Sequence, residues 1–204
     1  MENSNMHVIP EATRKRLVLL TELLESWKNE RITSIEMSNL LNCKDSLVRY
    51  DLRFVEAESG FKNGYSVQSL KESVEKSLNG KAAEKKRCCI VGLGRLGAAL
   101  LDSSFFEGSG FEISAGFDSS VNRVELLRST FELFPASRIE TVCAQKKIGY
   151  AFLSCPENEA EKMVQRLVNA GIRGIVNYTR CVFAVPQGVK VENASPVLAL
   201  QNLQ

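Results

Sequence analysis

Gly92-x-Gly94-x-x-Gly97 is the stretch of this chain suited to chemistry that needs no reactive side chain. The apolar run Cys88-Cys89-Ile90-Val91 ahead of it reads as a buried strand, and Ala98-Ala99-Leu100-Leu101 behind it as a helix. In a strand–turn–helix setting three glycines have separate duties: a tight turn, close approach of a pyrophosphate, and close packing of helix on strand. Gly92, Gly94 and Gly97 fit those duties in order, and Leu93, Arg95 and Leu96 complete the turn. Free N–H groups and the dipole at the start of the helix then face phosphate. About 20 positions on, the predicted strand 112–117 ends at Asp118, where a carboxylate holds adenosine ribose hydroxyls. That carboxylate favours NAD over NADP by repelling a 2′-phosphate, and Arg123, five residues later, bears on the choice. A glycine turn without a ligand is the alternative, and it gives Asp118 no more than a helix-capping role.

The remaining elements must position this cleft. From residue 88 onward, predicted strands and helices alternate, which implies an α/β unit with a parallel sheet and helices on both faces. Strands are expected over 147–154 and 174–178, a helix over 157–170, helix or loop over 120–130 and 137–145, and a β-rich stretch over 181–191. Cys155-Pro156 follows the strand that lines the cleft, and a short apolar helix closes the chain.

Ahead of residue 80 the pattern is helical. Leu17, Leu20, Leu24 and Trp27 form one apolar face of a helix over 9–28. Thr33-Ser34-Ile35-Glu36 is a capping box opening a second helix, with Ile35, Leu40 and Leu41 expected inward. After the short turn Asn42-Cys43-Lys44, a third helix runs from Asp45 to Glu56 with Leu47, Val48, Leu52 and Val55 apolar. A tight turn between the second and third of three helices is the pattern of a helix-turn-helix, whose later helix reads the major groove. Its exposed side carries Ser46, Arg49, Tyr50 and Arg53, and arginine suits guanine edges and phosphates. Two glycines and β-type residues over 58–67 predict a hairpin, a wing that brings Lys62 toward phosphate, followed by a helix over 68–80. The alternative is a helical bundle with a solvated face. Residues 1–80 hold 11 Lys/Arg against 12 Asp/Glu, so this part lacks the overall basic charge of many nucleic-acid binders.

At 204 residues and 44% hydrophobic, the chain is long enough for two cores. A net charge of +2 announces no global polyanion field, and no apolar run reaches membrane-spanning length. The first residues lack the pattern of a secretion signal, and six cysteines without a Cys-x-x-Cys pair suggest reduced thiols in a cytoplasmic protein and no metal site. Enzyme chemistry is poorly supplied. The one histidine is His7, no Tyr-x-x-x-Lys occurs, and Cys155, the best candidate nucleophile, has no histidine partner. No catalytic residue is assigned.

Taken together the chain resembles the Rex family of redox-sensing transcriptional repressors. The likeness runs through Ile9-Pro10-x-Ala12-Thr13-x-x-Arg16-Leu17, Val48-Arg49-x-Asp51-Leu52, Gly64-Tyr65-x-Val67, the glycine turn and Phe117-Asp118. It continues through Ala170-Gly171-Ile172-x-Gly174-Ile175-x-Asn177 to Val185-Pro186-x-Gly188-Val189-x-Val191-Glu192-Asn193. The resemblance implies a winged helix-turn-helix domain over 1–80, a connector over 81–87, a Rossmann-type NAD(H)-binding domain over 88–194, and a C-terminal helix over 195–204 exchanged between subunits of a homodimer. It implies operator double-stranded DNA and NAD(H) as partners, NADH releasing the DNA. By matching, Cys155, Pro156 and Asn177 line the nicotinamide side. Ser34 and Lys44 join the DNA-facing set, and Arg16 couples the two domains. The chain departs from the family pattern at Tyr50, at Phe61-Lys62-Asn63 in the wing, at Tyr178-Thr179-Arg180, and at Ser103 and Ser195, where a tyrosine and an aspartate usually serve Arg16. A small NAD(P)-dependent oxidoreductase, or a Rex-like NAD-binding protein with altered DNA binding or coupling, is the alternative.

Overall fold

Thr33, one residue after a two-residue strand, starts the element on which the first half of the chain turns. Its hydroxyl accepts from Glu36 N at 3.2 Å, and the Glu36 carboxylate accepts from Thr33 N at 2.7 Å. The capping box is therefore closed, and its hydrogen bonds hold the Glu36 carboxyl below its usual pKa. The computed structural model describes residues 9–55, 64–79, 85–102, 106 and 109–203, in two units, Met1–Ala83 and Glu84–Gln204.

The first unit contains α1 (Glu11–Glu25), β1 (Arg31–Ile32), α2 (Ser34–Leu40), α3 (Asp45–Leu52), β2 (Tyr65–Ser66) and α4 (Val67–Asn79). Leu17, Leu20 and Leu24 of α1 pack with Ile32, Met37, Val48, Leu52, Leu70 and Val74 in one core. α1 stops short of residue 28 because Trp27 leaves the helix and donates its indole N–H to Arg31 O at 3.1 Å. Ile35 is 60% exposed, against the sequence expectation. It stands two positions, about 200°, around α2 from Met37, which takes the core position, so it must face outward. Asn42, with φ +47°, turns the chain between α2 and α3, and Cys43 N bonds Ser38 O across it. Of the hairpin expected over 58–67, only the last strand is described. It pairs antiparallel with β1, Ile32 opposite Tyr65. Residues 56–63, Lys62 among them, lie outside the described residues.

The second unit is a six-stranded, all-parallel sheet of β3 (Lys86–Val91), β4 (Phe111–Asp118), β5 (Leu133–Pro135), β6 (Tyr150–Leu153), β7 (Gly174–Asn177) and β8 (Lys190–Asn193) in the order β5-β4-β3-β6-β7-β8. Its helices are α5 (Arg95–Ala99), α6 (Val121–Leu126), α7 (Ile139–Gln145), α8 (Glu157–Asn169) and α9 (Pro196–Gln201). Starting from β3, strands are added outward in one direction and then, from β6, in the other. The reversal falls between β3 and β6, and this doubly wound arrangement opens a crevice at their C-terminal ends. Successive residues of β3 serve opposite faces. Cys89 and Val91 join a core with α7 and α8 residues such as Ile139 and Leu167, while Cys88 and Ile90 join Leu93, Leu101 and Ile113.

Two local readings change. Leu133-Phe134-Pro135 is a strand that its three-residue length concealed. Residues 181–189 are a loop rather than strand. Cys181, Phe183, Val185 and Val189 pack on the core while Val182 is 90% exposed, so the two-residue alternation records burial without a hydrogen-bonded ladder.

Candidate functional site

Two turns meet at the reversal point: the glycine turn after β3 and Ser154-Cys155-Pro156 after β6. Gly92 has φ +95°, and a Cβ there would fall 2.4 Å from Cys155 N, so the turns touch backbone to backbone. A Cβ on Gly97 would fall 1.8 Å from Gly92 O, which fixes how closely α5 lies against the end of β3. At Gly94 a Cβ would meet nothing within 4 Å. No contact inside the chain requires glycine there, and what its bare backbone permits is close approach by a ligand. Ser154, which sequence reasoning passed over, donates its hydroxyl to Gly92 O at 2.8 Å and ties the two turns together. A hydroxyl at a strand end beside a Cys-Pro turn was its only signal.

Asp118 ends β4 beside this turn and is 3% exposed. One carboxylate oxygen accepts from Leu93 N at 2.7 Å and the other from Ser120 N at 2.7 Å, with Arg123 Nη1 3.4 Å from both. The carboxylate therefore braces the glycine turn. Leu93 is buried, while Arg95 and Leu96 are exposed at the start of α5. Cys155 is 9% exposed, and its thiol is pushed up to about 11, by burial first and the Glu159 carboxylate next. It is a neutral thiol at physiological pH and a poor nucleophile. Pro156 is exposed and leads into α8.

Asn177 sits 1% exposed at the end of β7. Its amide N–H groups go to Cys181 O and Asn193 Oδ1, both at 2.9 Å, and its Oδ1 accepts from Thr179 N at 2.9 Å and Thr179 Oγ1 at 2.7 Å. Both donors and both lone pairs of the amide are spent inside the chain. Asn177 shapes the 177–181 loop, while Tyr178 stacks on Phe152 and Arg180 pairs with Glu157 at 2.8 Å. Ser195 caps α9 by accepting from Leu198 N at 3.2 Å, and Ser103 lies outside the described residues. Among the described residues no three His, Cys, Asp or Glu side chains gather as metal ligands, and no helix is long and apolar enough to cross a membrane.

In the first unit the exposed face of α3 presents Ser46, Arg49, Tyr50 and Arg53, with Lys44 exposed just before it. Arg49 Nε pairs with Asp45 at 2.9 Å, and Tyr50 packs edge-on against Phe54. The Asp45 carboxyl is held below its usual pKa by the Ser34 hydroxyl and then by Arg49. Ser34, half-buried at the start of α2, stands beside this carboxyl. Behind α3, Asp51 is 2% exposed and takes a two-pronged bond from Arg16, Nε at 2.6 Å and Nη2 at 2.8 Å, plus the Thr13 hydroxyl at 2.8 Å. The bond raises the Arg16 pKa above its usual value. Sequence reasoning missed Asp51 as a positioning residue. Its signal was a carboxylate set among Val48, Leu52 and Val55 on the apolar side of the helix.

The fold and these contacts have relatives. A family model described as CoA binding domain matches residues 83–181. Two redox-sensing transcriptional repressors named Rex align over almost the whole chain. One, from Exiguobacterium sp. (strain AT1b), is 30% identical over 98% of this chain and 93% of its own length. The other, from Ligilactobacillus salivarius, is 31% identical over 96% and 92%. Among solved structures, RSP, a Rex-family repressor, superposes with a TM-score of 0.79 at 29% identity over 96% of this chain and 93% of that one. RSP has the same TM-score in complex with β-NADH and in complex with β-NAD+ and operator DNA.

Proposed function

The chain belongs to the Rex family of redox-sensing transcriptional repressors, and on that premise we propose how its own residues carry the function. It binds operator DNA and responds to the NADH/NAD+ ratio, NADH binding releasing the DNA. The observation that carries this reading is the union, in one chain, of the glycine turn braced by Asp118 and an exposed, arginine-bearing α3. The crevice between β3 and β6 takes the dinucleotide, with the pyrophosphate over Gly92–Gly97 and the adenosine ribose toward Asp118. Cys155 and the loop held by Asn177 supply its nicotinamide end as shape rather than as reacting groups. Ser46, Arg49, Tyr50 and Arg53 face the major groove, with Lys44 and Lys62 toward phosphate.

Arg16 is the coupling residue of this reading. It joins α1 to the back of α3 through Asp51, so any contact that draws its guanidinium away acts directly on the reading helix. For the ratio to be sensed, NADH must favour the DNA-incompetent arrangement more strongly than NAD+ does. The active form is a cytoplasmic homodimer rather than an enzyme. α9 fits the role of an exchanged helix because Val197, Leu198 and Leu200 are 64%, 49% and 65% exposed.

The test is operator affinity measured with each nucleotide at saturation. NADH is expected to weaken binding about tenfold or more relative to NAD+, within the usual span of allosteric coupling. NADH that binds by calorimetry yet leaves the operator Kd where NAD+ leaves it would refute the sensor and spare both binding activities.

A further inference from the structure

The excess of positive charge and the arginine-bearing helix lie in different units of the chain. Residues 1–80 hold 11 Lys/Arg against 12 Asp/Glu, whereas residues 81–204 hold 15 against 12. Part of that excess gathers at the N-terminal end of the parallel sheet, the end away from the crevice. Backbone hydrogen bonds draw a row there: Gly149 N to Arg87 O at 3.0 Å, Arg173 N to Gly149 O at 2.8 Å, and Lys190 N to Arg173 O at 2.9 Å. The row crosses the starts of β3, β6, β7 and β8. Lys147 stands two positions before Gly149, in a turn where its own φ is +53°. Lys147, Arg173 and Lys190 are exposed, and none has an ion pair among the described residues. Arg173 is held in place: its guanidinium lies over the Tyr150 ring, 5.6 Å from the centroid, and its Nη2 is 3.0 Å from where a Cβ on Gly149 would fall. Glu112 and Glu132, carboxylates at this end, are already taken by Arg87 at 3.0 Å and Lys146 at 2.6 Å. Exposed Glu192 lies two residues further along β8 from Lys190, toward the crevice end.

Like charges in a row repel one another, and a polyanion laid along them removes the repulsion and sheds its counterions. Adjacent strands lie about 4.8 Å apart, so the row spans roughly 14 Å. Each strand of a duplex offers one phosphate per about 3.4 Å of axis, so an extended polyanion engages the whole row where a small anion would engage one cation. We propose that this end of the sheet is a second DNA-contacting surface, at which Lys147, Arg173 and Lys190 hold the phosphate backbone of duplex DNA and read no bases. The inference rests on the reading of α3 as the DNA-facing helix, and the surface supplies phosphate neutralisation that the charge-balanced first unit lacks.

Fluorescence anisotropy of the full chain on an operator duplex and on a random-sequence duplex, each over a range of salt, tests it. In Lys147→Gln/Arg173→Gln/Lys190→Gln the slope of log K against log salt should become shallower by about 2–3, at roughly 0.9 per lost phosphate contact. Both duplexes should weaken by the same factor, about tenfold or more at low salt, whereas Arg49→Ala should lower the operator-to-random ratio. Calorimetric NADH binding reports whether the second unit of each variant is folded. Should the triple variant fail that check, Lys147→Gln/Lys190→Gln decides, with Arg173 left on Tyr150 and an expected slope change of about 1–2. A folded variant with the wild-type slope overturns the proposal, and so does a weakening confined to the operator. Wild type that binds DNA beside such a variant removes this inference alone; wild type that binds neither duplex removes the DNA reading with it.

Discussion

In the first unit the groups that the proposed function assigns to a ligand are side chains, Ser46, Arg49, Tyr50 and Arg53, standing on the exposed face of a helix whose other face is core. In the second they are mostly backbone, the turn from Gly92 to Gly97, and the same atoms that would meet a ligand also pack strand end against strand end. The difference separates function from stability in one unit and fuses them in the other. A side chain on α3 can be exchanged without disturbing Val48 or Leu52 beneath it. A Cβ at Gly92 or Gly97 has nowhere to go without moving backbone at the ends of β3 and β6, whereas Gly94 has open space.

The sharpest way to break that contrast is Gly97→Ala, whose Cβ would overlap Gly92 O at 1.8 Å. It should cost about 3 kcal/mol or more of stability and abolish NADH binding, read by thermal melting and calorimetry. Retained NADH affinity would show that the turn is not the ligand cradle. Next comes Asp51→Ala, which strips Arg16 of its two bonds to the carboxylate, leaving only the long one to Thr13, at a site where the carboxylate is 3% exposed and the guanidinium 24% exposed. A loss of about 3 kcal/mol is expected in urea unfolding, with operator binding weakened as α3 loses its brace. Arg49→Ala stands third. Operator affinity should fall by about 1–3 kcal/mol while the melting temperature and NADH affinity hold, as the separation of roles in this unit requires.

The last effect is alkaline and accumulates over pH. Burial pushes the Cys88 thiol up to about 12 and the Cys155 thiol to about 11, against an ordinary 9.0. The unfolded chain therefore loses these protons first, binds fewer protons than the folded chain above pH 9, and is favoured as pH rises. Stability should fall from pH 9 toward 11 by up to about 1.4 kcal/mol per pH unit for each thiol. Cys155→Ala should flatten that slope; an unchanged slope would remove Cys155 as its source.

What could be read from the sequence follows the same division. The glycine spacing, Asp118 and the capping box at Thr33 are local patterns with local causes, and each has the geometry its spacing implies. The apolar positions of α1, Leu17, Leu20 and Leu24, were legible for the same reason. What escaped depends on partners far along the chain. Asp51 looks like an ordinary polar residue until Arg16, 35 positions away, is beside it. Ser154 looks incidental until Gly92, 62 positions away, accepts its proton. Asn177 was placed by resemblance alone, and nothing in its neighbourhood of sequence reveals that its amide N–H groups go to Asn193 and Cys181. Ile35 and the 181–189 loop show the other failure, a pattern whose apolar content is right while its facing or its ladder is not.

The Arg49–Asp45 pair gives the reading helix a resting state of its own. A guanidinium paired through Nε within its own helix meets, on the proposed function, a base edge as a trade, one carboxylate contact given up for one pair of acceptors. Against a guanine the trade is even or better, because the fork is matched; against any other base it is a loss. On the proposed function, selectivity at that position comes from the penalty for a wrong exchange as much as from the reward of a right one.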